Sequence, residues 1–271
     1  MNLYNDDCLN VLDLLPEESV DLVITDCPYH IVSGGCSNEQ SKFEPGGMLN
    51  HRKDSNGNTY VGGTESGNLG GAFDELDPHE YVKKGKLFKH NDIEFSEWLP
   101  KAYRVLKPGT HCYVMINARN LKELQQAAED AGFEFQQLIV WDKGNATLNK
   151  WYMNAYELIL MLKKGPARKI NDLGTKNILY VPNVIKCKRH PTEKPVGLMK
   201  ILEKNSSEEG DTVLDPFMGV GSTGVACAEL NRDFIGIEID ERYYNIAKER
   251  MDCPCDQMSL FSDLTEVDNE V

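Results

Sequence analysis

The chain has 271 residues and a formal net charge of −14, enough length to bury a full core as one large domain or as one domain with an insertion, and tight for two large ones. The acidic balance argues against a simple nucleic-acid binder, whose usual footprint is a basic surface. Residues 1–7 carry neither the basic start nor the apolar stretch of a signal peptide, and no apolar run approaches a membrane span, so a cytoplasmic protein with no membrane partner is expected.

Eight cysteines are scattered along the chain, and Cys112 and Cys227 fall inside predicted core elements, which fits reduced thiols better than a disulfide framework. Cys187, His190, Cys253 and Cys255 match no usual zinc spacing, so no metal is expected.

In chain order, Asn5 or Asp6 is placed to cap a first helix whose apolar Cys8, Val11, Leu12 and Leu15 recur at helical spacing until Pro16 ends it. Residues 20–25 read as a buried strand running directly into Asp26, Cys27, Pro28 and Tyr29. The character then changes. Residues 31–71 hold ten glycines and ten serines plus asparagines, too little apolar surface to offset their ordering entropy, so a long loop is expected there rather than a module with its own core. Lys83, Lys84, Lys86, Lys89 and His90 add a short basic run before the fold resumes.

Residues 95–106 predict a helix, with Pro100 near its first turn and Lys107, Pro108 and Gly109 at its end. Residues 110–116 predict a strand; Leu121, Leu124, Ala128 and Ala131 mark an amphipathic helix closed by Gly132; residues 133–141 and 157–162 supply two more strands. Residues 163–194 carry nine bases against two acids, an excess able to face phosphate. Pro195 suits a first helical position, with Val196, Met199 and Leu202 on the helix behind it. Strands at 212–214 and 234–237 flank a helix at 224–230, and residues 252–271, with six acids and no base, read as a solvated tail. Strands alternating with helices make an α/β fold with a largely parallel sheet.

The stretch Asp215, Pro216, Phe217, Met218, Gly219, Val220, Gly221, Ser222, Thr223 sits where a strand turns into a helix. Glycines at 219, 221 and 224 allow a tight turn, close approach of a ligand to the backbone, and close packing of helix on strand. The next strand ends at Glu238 and Asp240, about twenty residues on, where an acid can accept hydrogen bonds from ribose hydroxyls. Asp215 at the loop mouth would repel a pyrophosphate but suits a ligand bearing an ammonium or sulfonium charge, so S-adenosylmethionine fits better than NAD.

With Asp26, Cys27, Pro28 and Tyr29 ahead of this loop, the chain resembles the permuted (β-class) DNA amino-methyltransferases, which methylate adenine N6 or cytosine N4. The likeness covers residues 3–22, the tetrapeptide, residues 95–164 and residues 190–251. It implies a circularly permuted, Rossmann-like S-adenosylmethionine-dependent methyltransferase fold with an antiparallel hairpin at the sheet edge. It also implies a division of the chain: a catalytic half at 1–30 continued at 95–164, an insertion at 31–94 and a basic connection at 165–189 as candidate DNA contacts, a cofactor-binding half at 190–251, and a tail at 252–271.

By the same resemblance Asp7 reaches the adenine end of the cofactor. Thr192 and Lys194, in the hexapeptide from His190 to Pro195, help hold its methionine end beside Asp215, Phe217, Gly219, Gly221, Ser222, Thr223 and Glu238. Double-stranded DNA is the implied partner; members of the family often form homodimers, and a cognate restriction endonuclease can accompany them. An aspartate opening the tetrapeptide goes more often with adenine, a serine with cytosine.

An exocyclic amino group is a poor nucleophile because its lone pair is delocalised into the ring. If the Asp26 carboxylate and the Cys27 carbonyl each accept one N–H, the pair is localised and the growing positive charge is stabilised. Inside a duplex the base must first be extruded, at a few kcal/mol, and stacking on the Tyr29 ring returns roughly 1 to 3 kcal/mol. The family usually has proline where Cys27 stands. The main-chain carbonyl survives that change but the fixed φ does not, and a thiol beside the methyl donor is open to oxidation or alkylation. A cytosine-N4 enzyme and a DNA-binding homologue weakened through Cys27 remain the alternatives.

Overall fold

The computed structural model describes residues 1–28, 51–53, 59–61, 93–147, 151–184, 189 and 193–252. Residues Met1–Tyr29 and Ile93–Val271 form one unit and His30–Asp92 a second. The first unit runs β1 (Asn2–Tyr4), α1 (Cys8–Leu14), β2 (Val20–Thr25) in its amino-terminal piece. In the second unit, β3 (His51–Lys53) and β4 (Thr59–Val61) pair antiparallel, His51 with Val61 and Lys53 with Thr59. They flank Asn56-Gly57, a strong short-range hairpin signal, so this part of the insertion holds strand structure where only loop was expected.

The first unit resumes with α2 (Phe95–Val105), β5 (Leu106–Ile116), α3 (Leu121–Asp130), β6 (Glu134–Thr147), β7 (Asn154–Lys163), β8 (Ile178–Tyr180), α4 (Val196–Ser206), β9 (Thr212–Asp215), α5 (Ser222–Glu229), β10 (Asp233–Ile237) and α6 (Glu241–Asp252). Its eight strands form one sheet in the order β1-β10-β9-β2-β5-β7-β6-β8. The pairs from β1 to β5 are parallel, β7 runs antiparallel to both β5 and β6, and β8 is parallel to β6.

Alternation along the strands explains the two helical layers. On β5, Cys112, Val114 and Ile116 enter a core with α1, α2 and α3, whereas Tyr113 and Met115 enter a second core with α4, α5 and α6. Successive side chains of a strand point to opposite faces, so a sheet covered on both sides reads as a nearly continuous apolar run. That is the composition of VDLVIT in β2 and of the middle of β7.

Several boundaries differ from the sequence expectation for identifiable reasons. The cap of α1 is Asp7, whose Oδ1 accepts from Leu9 N at 2.8 Å, rather than Asn5 or Asp6. Asn5 is drawn away to the carbonyls of Glu238 and Ile239. Pro100 lies in the middle of α2 rather than near its first turn. β5 begins four residues early, where Leu106 pairs with Val20 of β2, and Gly109, at φ 81°, donates to Lys164 O just past β7. Gly132, at φ 103°, closes α3 as expected. The three-residue strands β1 and β8 were not expected; each exists by pairing with a longer neighbour, and β8 covers the outer edge of the β6–β7 hairpin.

From β9 the chain crosses by α5 to β10, on one side of β9; from β2 it crosses by α2 to β5, on the opposite side. Strand order therefore reverses between β9 and β2. The crevice beyond the carboxyl ends of strands at such a point is where open α/β sheets bind ligands.

Candidate active site

Asp215 ends β9 and is buried. Its Oδ1 accepts from Thr25 Oγ1 at 2.8 Å and from Phe217 N at 3.1 Å, and its Oδ2 accepts from Thr223 Oγ1 at 2.7 Å. One carboxylate thus ties the end of β2, the turn after β9 and the first turn of α5. Burial pushes its pKa up to about 6 against the pull of the Thr223, Thr25 and Phe217 hydrogen bonds. Its work in this structure is to shape the loop rather than to stand open toward a sulfonium.

The glycines divide the remaining tasks. Gly219 has φ 52°, with open space where a Cβ would stand, so the backbone here can be approached closely. At Gly221, φ 77°, a Cβ would come within 3.0 Å of Ala247 Cβ, and at Gly224 it would strike Phe234 at 2.7 Å and Met251 as well. These two are glycine because α5 packs on α6 and on β10. Ser222 and Thr223 are buried in the first turn of α5, and Phe217 meets Trp98 of α2 edge-on at 5.4 Å.

Glu238, just past β10, accepts from Gly219 N at 3.0 Å through Oε2 and from Asp240 N at 2.8 Å through Oε1. Burial raises its pKa to about 7. Asp240 instead caps α6, accepting from Arg242 N, which leaves Glu238 as the acid beside the glycine loop. Asn5 bonds to the Glu238 carbonyl, and Asp7 follows it at the head of α1, so the amino terminus borders the same crevice.

Across the crevice, Asp26 follows β2. Its Oδ2 accepts from Lys194 Nζ at 2.5 Å, while Oδ1 is buried and meets no hydrogen-bond donor among the described residues. Burial raises the Asp26 pKa, Lys194 opposes that and Glu157 reinforces it. Lys194 also reaches Glu157 Oε2 at 3.3 Å, and Lys143 reaches Glu157 Oε1 at 3.3 Å. Burial pushes Glu157 up, but the ammonium groups of Lys194 and Lys143 outweigh it and hold the carboxylate below its ordinary range.

Cys27 is buried in the apolar core beneath α1 and α2, and burial drives its thiol pKa far up. The side chain is therefore a packed, neutral group rather than a reactive thiol facing the crevice; Pro28 follows, half-buried. Tyr29 and Thr192 lie outside the described residues, as do most of the 31–94 insertion and the tail beyond 252.

The basic segment is partly spent internally. Lys163 pairs with Glu134, Lys164 donates to the carbonyls of Tyr103 and Leu106, and Arg168 donates to the Ser206 carbonyl and Asp211. Lys169 and Lys176 remain exposed.

Two site features carry no signature in the sequence. Arg250, buried on α6, donates to Val220 O at 2.6 Å and pairs with buried Glu193 at 3.2 Å, fastening the residue beside Lys194 to the glycine loop. Glu157 was visible only as an acid heading an apolar strand.

The model of the N6/N4 family, described as DNA methylase, matches residues 20–249. The chain is 27% identical to the Type II methyltransferase M2.DpnII of Streptococcus pneumoniae, over 93% of this chain and 90% of that protein. It is 29% identical to the Type II methyltransferase M.HpaI of Haemophilus parainfluenzae, over 90% and 72%. Among solved structures it is similar to the M1.HpyAVI–SAM complex, with TM-score 0.60, 23% identity and coverage of 92% and 98%. It is also similar to the cytosine-N4-specific PvuII DNA methyltransferase, with TM-score 0.63, 19% identity and coverage of 99% and 87%. A glycine loop with open backbone at Gly219 and an acid beside it fit S-adenosylmethionine; the chain belongs to the N6/N4 DNA methylase family and is an S-adenosylmethionine-dependent DNA amino-methyltransferase.

Proposed function

We propose that this methyltransferase modifies adenine N6 at a specific site in double-stranded DNA, with Asp26 as the acceptor of the target amino group. The observation that carries the reading is the asymmetry of the Asp26 carboxylate: Lys194 holds Oδ2, and buried Oδ1 has no donor among the described residues. An acceptor left unmade in a buried place costs about 1 to 3 kcal/mol. An amino N–H offered by an extruded base recovers that cost at the point where charge develops.

S-adenosylmethionine, when bound, supplies a methyl group made electrophilic by its sulfonium. Gly219 would admit it to the backbone beside the turn made at Gly221, Glu238 would face its ribose, Asp7 would lie toward its adenine, and Asp215, Phe217, Ser222 and Thr223 would shape the wall. Lys194, and Thr192 by the family resemblance, would hold its methionine end. Asp26 Oδ1 and the Cys27 carbonyl each accept an N–H of the target amine, drawing its nitrogen toward tetrahedral geometry, and Asp26 stabilises the positive charge arriving there. Pro28 stiffens the turn, and Tyr29 stacks on the extruded base. The 31–94 insertion and the 165–189 connection are the candidate DNA-contacting segments. Aspartate rather than serine at position 26 supports adenine over cytosine.

The test is transfer of a labelled methyl group from S-adenosylmethionine to unmethylated duplex DNA, followed by nucleoside analysis, with Asp26→Ala as control. Label in N6-methyladenine, abolished by Asp26→Ala with cofactor binding retained, is expected. Label in N4-methylcytosine would keep the mechanism and change the base. An Asp26→Ala enzyme with wild-type turnover would overturn the role of Asp26.

A further inference from the structure

Four charged side chains from four separate chain segments alternate in sign across the crevice: Asp26 after β2, Lys194 before α4, Glu157 on β7 and Lys143 on β6. The contacts are 2.5, 3.3 and 3.3 Å, and Lys194 is only 9% exposed while Asp26 and Glu157 keep about a quarter of their surface. A buried ammonium is costly unless paired and well directed. Glu157 takes no part in the methyl transfer described above.

We propose that Glu157 is a positioning residue for methyl transfer, holding Lys194 so that the ammonium binds one oxygen of Asp26 and leaves the other to the target amine. This rests on Asp26 being the acceptor. Two physical effects follow. The first is orientation: Lys194 has four rotatable carbons, and its tie to Glu157, itself tied to Lys143 across the β6–β7 ladder, fixes where the ammonium sits and hence how the Asp26 carboxylate is turned. The second is charge. Positive charge arrives on the target nitrogen beside Asp26, where an uncompensated Lys194 would oppose it; the Glu157 carboxylate cancels that opposition without touching the substrate.

Displacement of a reacting group by about 1 Å can cost on the order of 100-fold in rate. Glu157→Gln keeps the shape and the strand and removes the charge. The experiment is single-turnover methylation of duplex DNA by the full chain at saturating S-adenosylmethionine, over pH 5 to 9, with cofactor and DNA dissociation constants measured separately. The expected result is a rate lower by about 10- to 100-fold with both dissociation constants within about threefold of wild type. The acid limb of the pH–rate profile is also expected to move to lower pH. The groups facing Asp26 are Lys194, Glu157 and, behind Thr25, Asp215; Glu157 raises the Asp26 pKa and Lys194 lowers it, so loss of Glu157 leaves the lowering influence stronger. A residue that merely supported the fold would not shift that limb.

A wild-type rate and unshifted limb in Glu157→Gln overturn the proposal, as does a rate loss accounted for by weaker cofactor binding. Should the Gln variant not fold, Glu157→Ala is read by the same pair of changes. Asp26→Ala separates the two readings: if it is inactive while folded Glu157→Gln behaves as wild type, only the role of Glu157 fails, whereas an active Asp26→Ala removes the reading on which it rests.

Discussion

Glu203 lies on the inner face of α4, fully buried, and neither carboxylate oxygen meets a well-placed hydrogen-bond donor among the described residues. Burial pushes its pKa from 4.5 up to about 8, opposed by the Cys227 thiol and by the charges of Arg232 and Lys200. The folded state therefore binds a proton that the unfolded state releases near pH 4.5. The contribution of this group to stability is complete below pH 4.5 and is lost progressively as pH rises toward 8. At about 1.4 kcal/mol for each tenfold difference in proton affinity, the whole loss is about 5 kcal/mol, of which about 3 kcal/mol has accrued by pH 7. Glu203→Gln replaces the acid with a neutral group of the same shape and removes that dependence, at a cost of about 1 to 3 kcal/mol for amide donors without partners. Urea unfolding of both proteins at pH 5, 6, 7 and 8 measures the effect. Relative to wild type, the variant is expected to gain about 3 kcal/mol or more between pH 5 and 8. Glu238 titrates in the same window in both proteins and cancels in the difference, whereas Asp215, whose charge helps to raise the Glu203 pKa, enters the difference through that coupling. Stability curves that stay parallel across this range would refute the reasoning.

Gly224→Ala drives a methyl group into Phe234 and Met251, and a loss of about 1 to 3 kcal/mol is expected in the same urea assay. Arg250→Met removes the donor to Val220 O and leaves Glu193 a buried acid without that partner. A destabilisation of about 3 to 5 kcal/mol, with weaker S-adenosylmethionine binding by calorimetry, is expected. Cys27, buried and neutral, is expected to resist iodoacetamide in the native protein at pH 8 and to react on unfolding, as mass spectrometry of the peptide would report; rapid native labelling would place its thiol at the surface instead.

The local order of elements was legible because it is written in short-range patterns. Helical spacing at Cys8, Val11 and Leu12, apolar runs at 20–25 and 157–162, and the three glycines of the β9–α5 loop each carry their structural meaning within a few residues. Of these glycines, Gly219 has open space at its Cβ position, while Gly221 and Gly224 are packed against neighbouring elements. Asp26 and Glu238 could be named as candidates because each follows directly on an apolar strand.

What the sequence could not disclose is what each polar group faces, since partners lie far apart along the chain. Thr25 and Asp215 are 190 residues apart, and Lys194 and Asp26 are 168 apart. Asp215 reads as open to a ligand until Thr25 and Thr223 are seen to occupy it; Cys27 reads as exposed until the core closes over it; Glu157 reads as a strand residue until Lys194 arrives. The strands β1 and β8 have too few residues to announce themselves and form by pairing with β10 and β6. Local propensity and periodicity set the longer helices and strands from the sequence alone. Burial and long-range pairing, which set the charge state and the free valence of each carboxylate, exist only once the sheet has brought distant segments together.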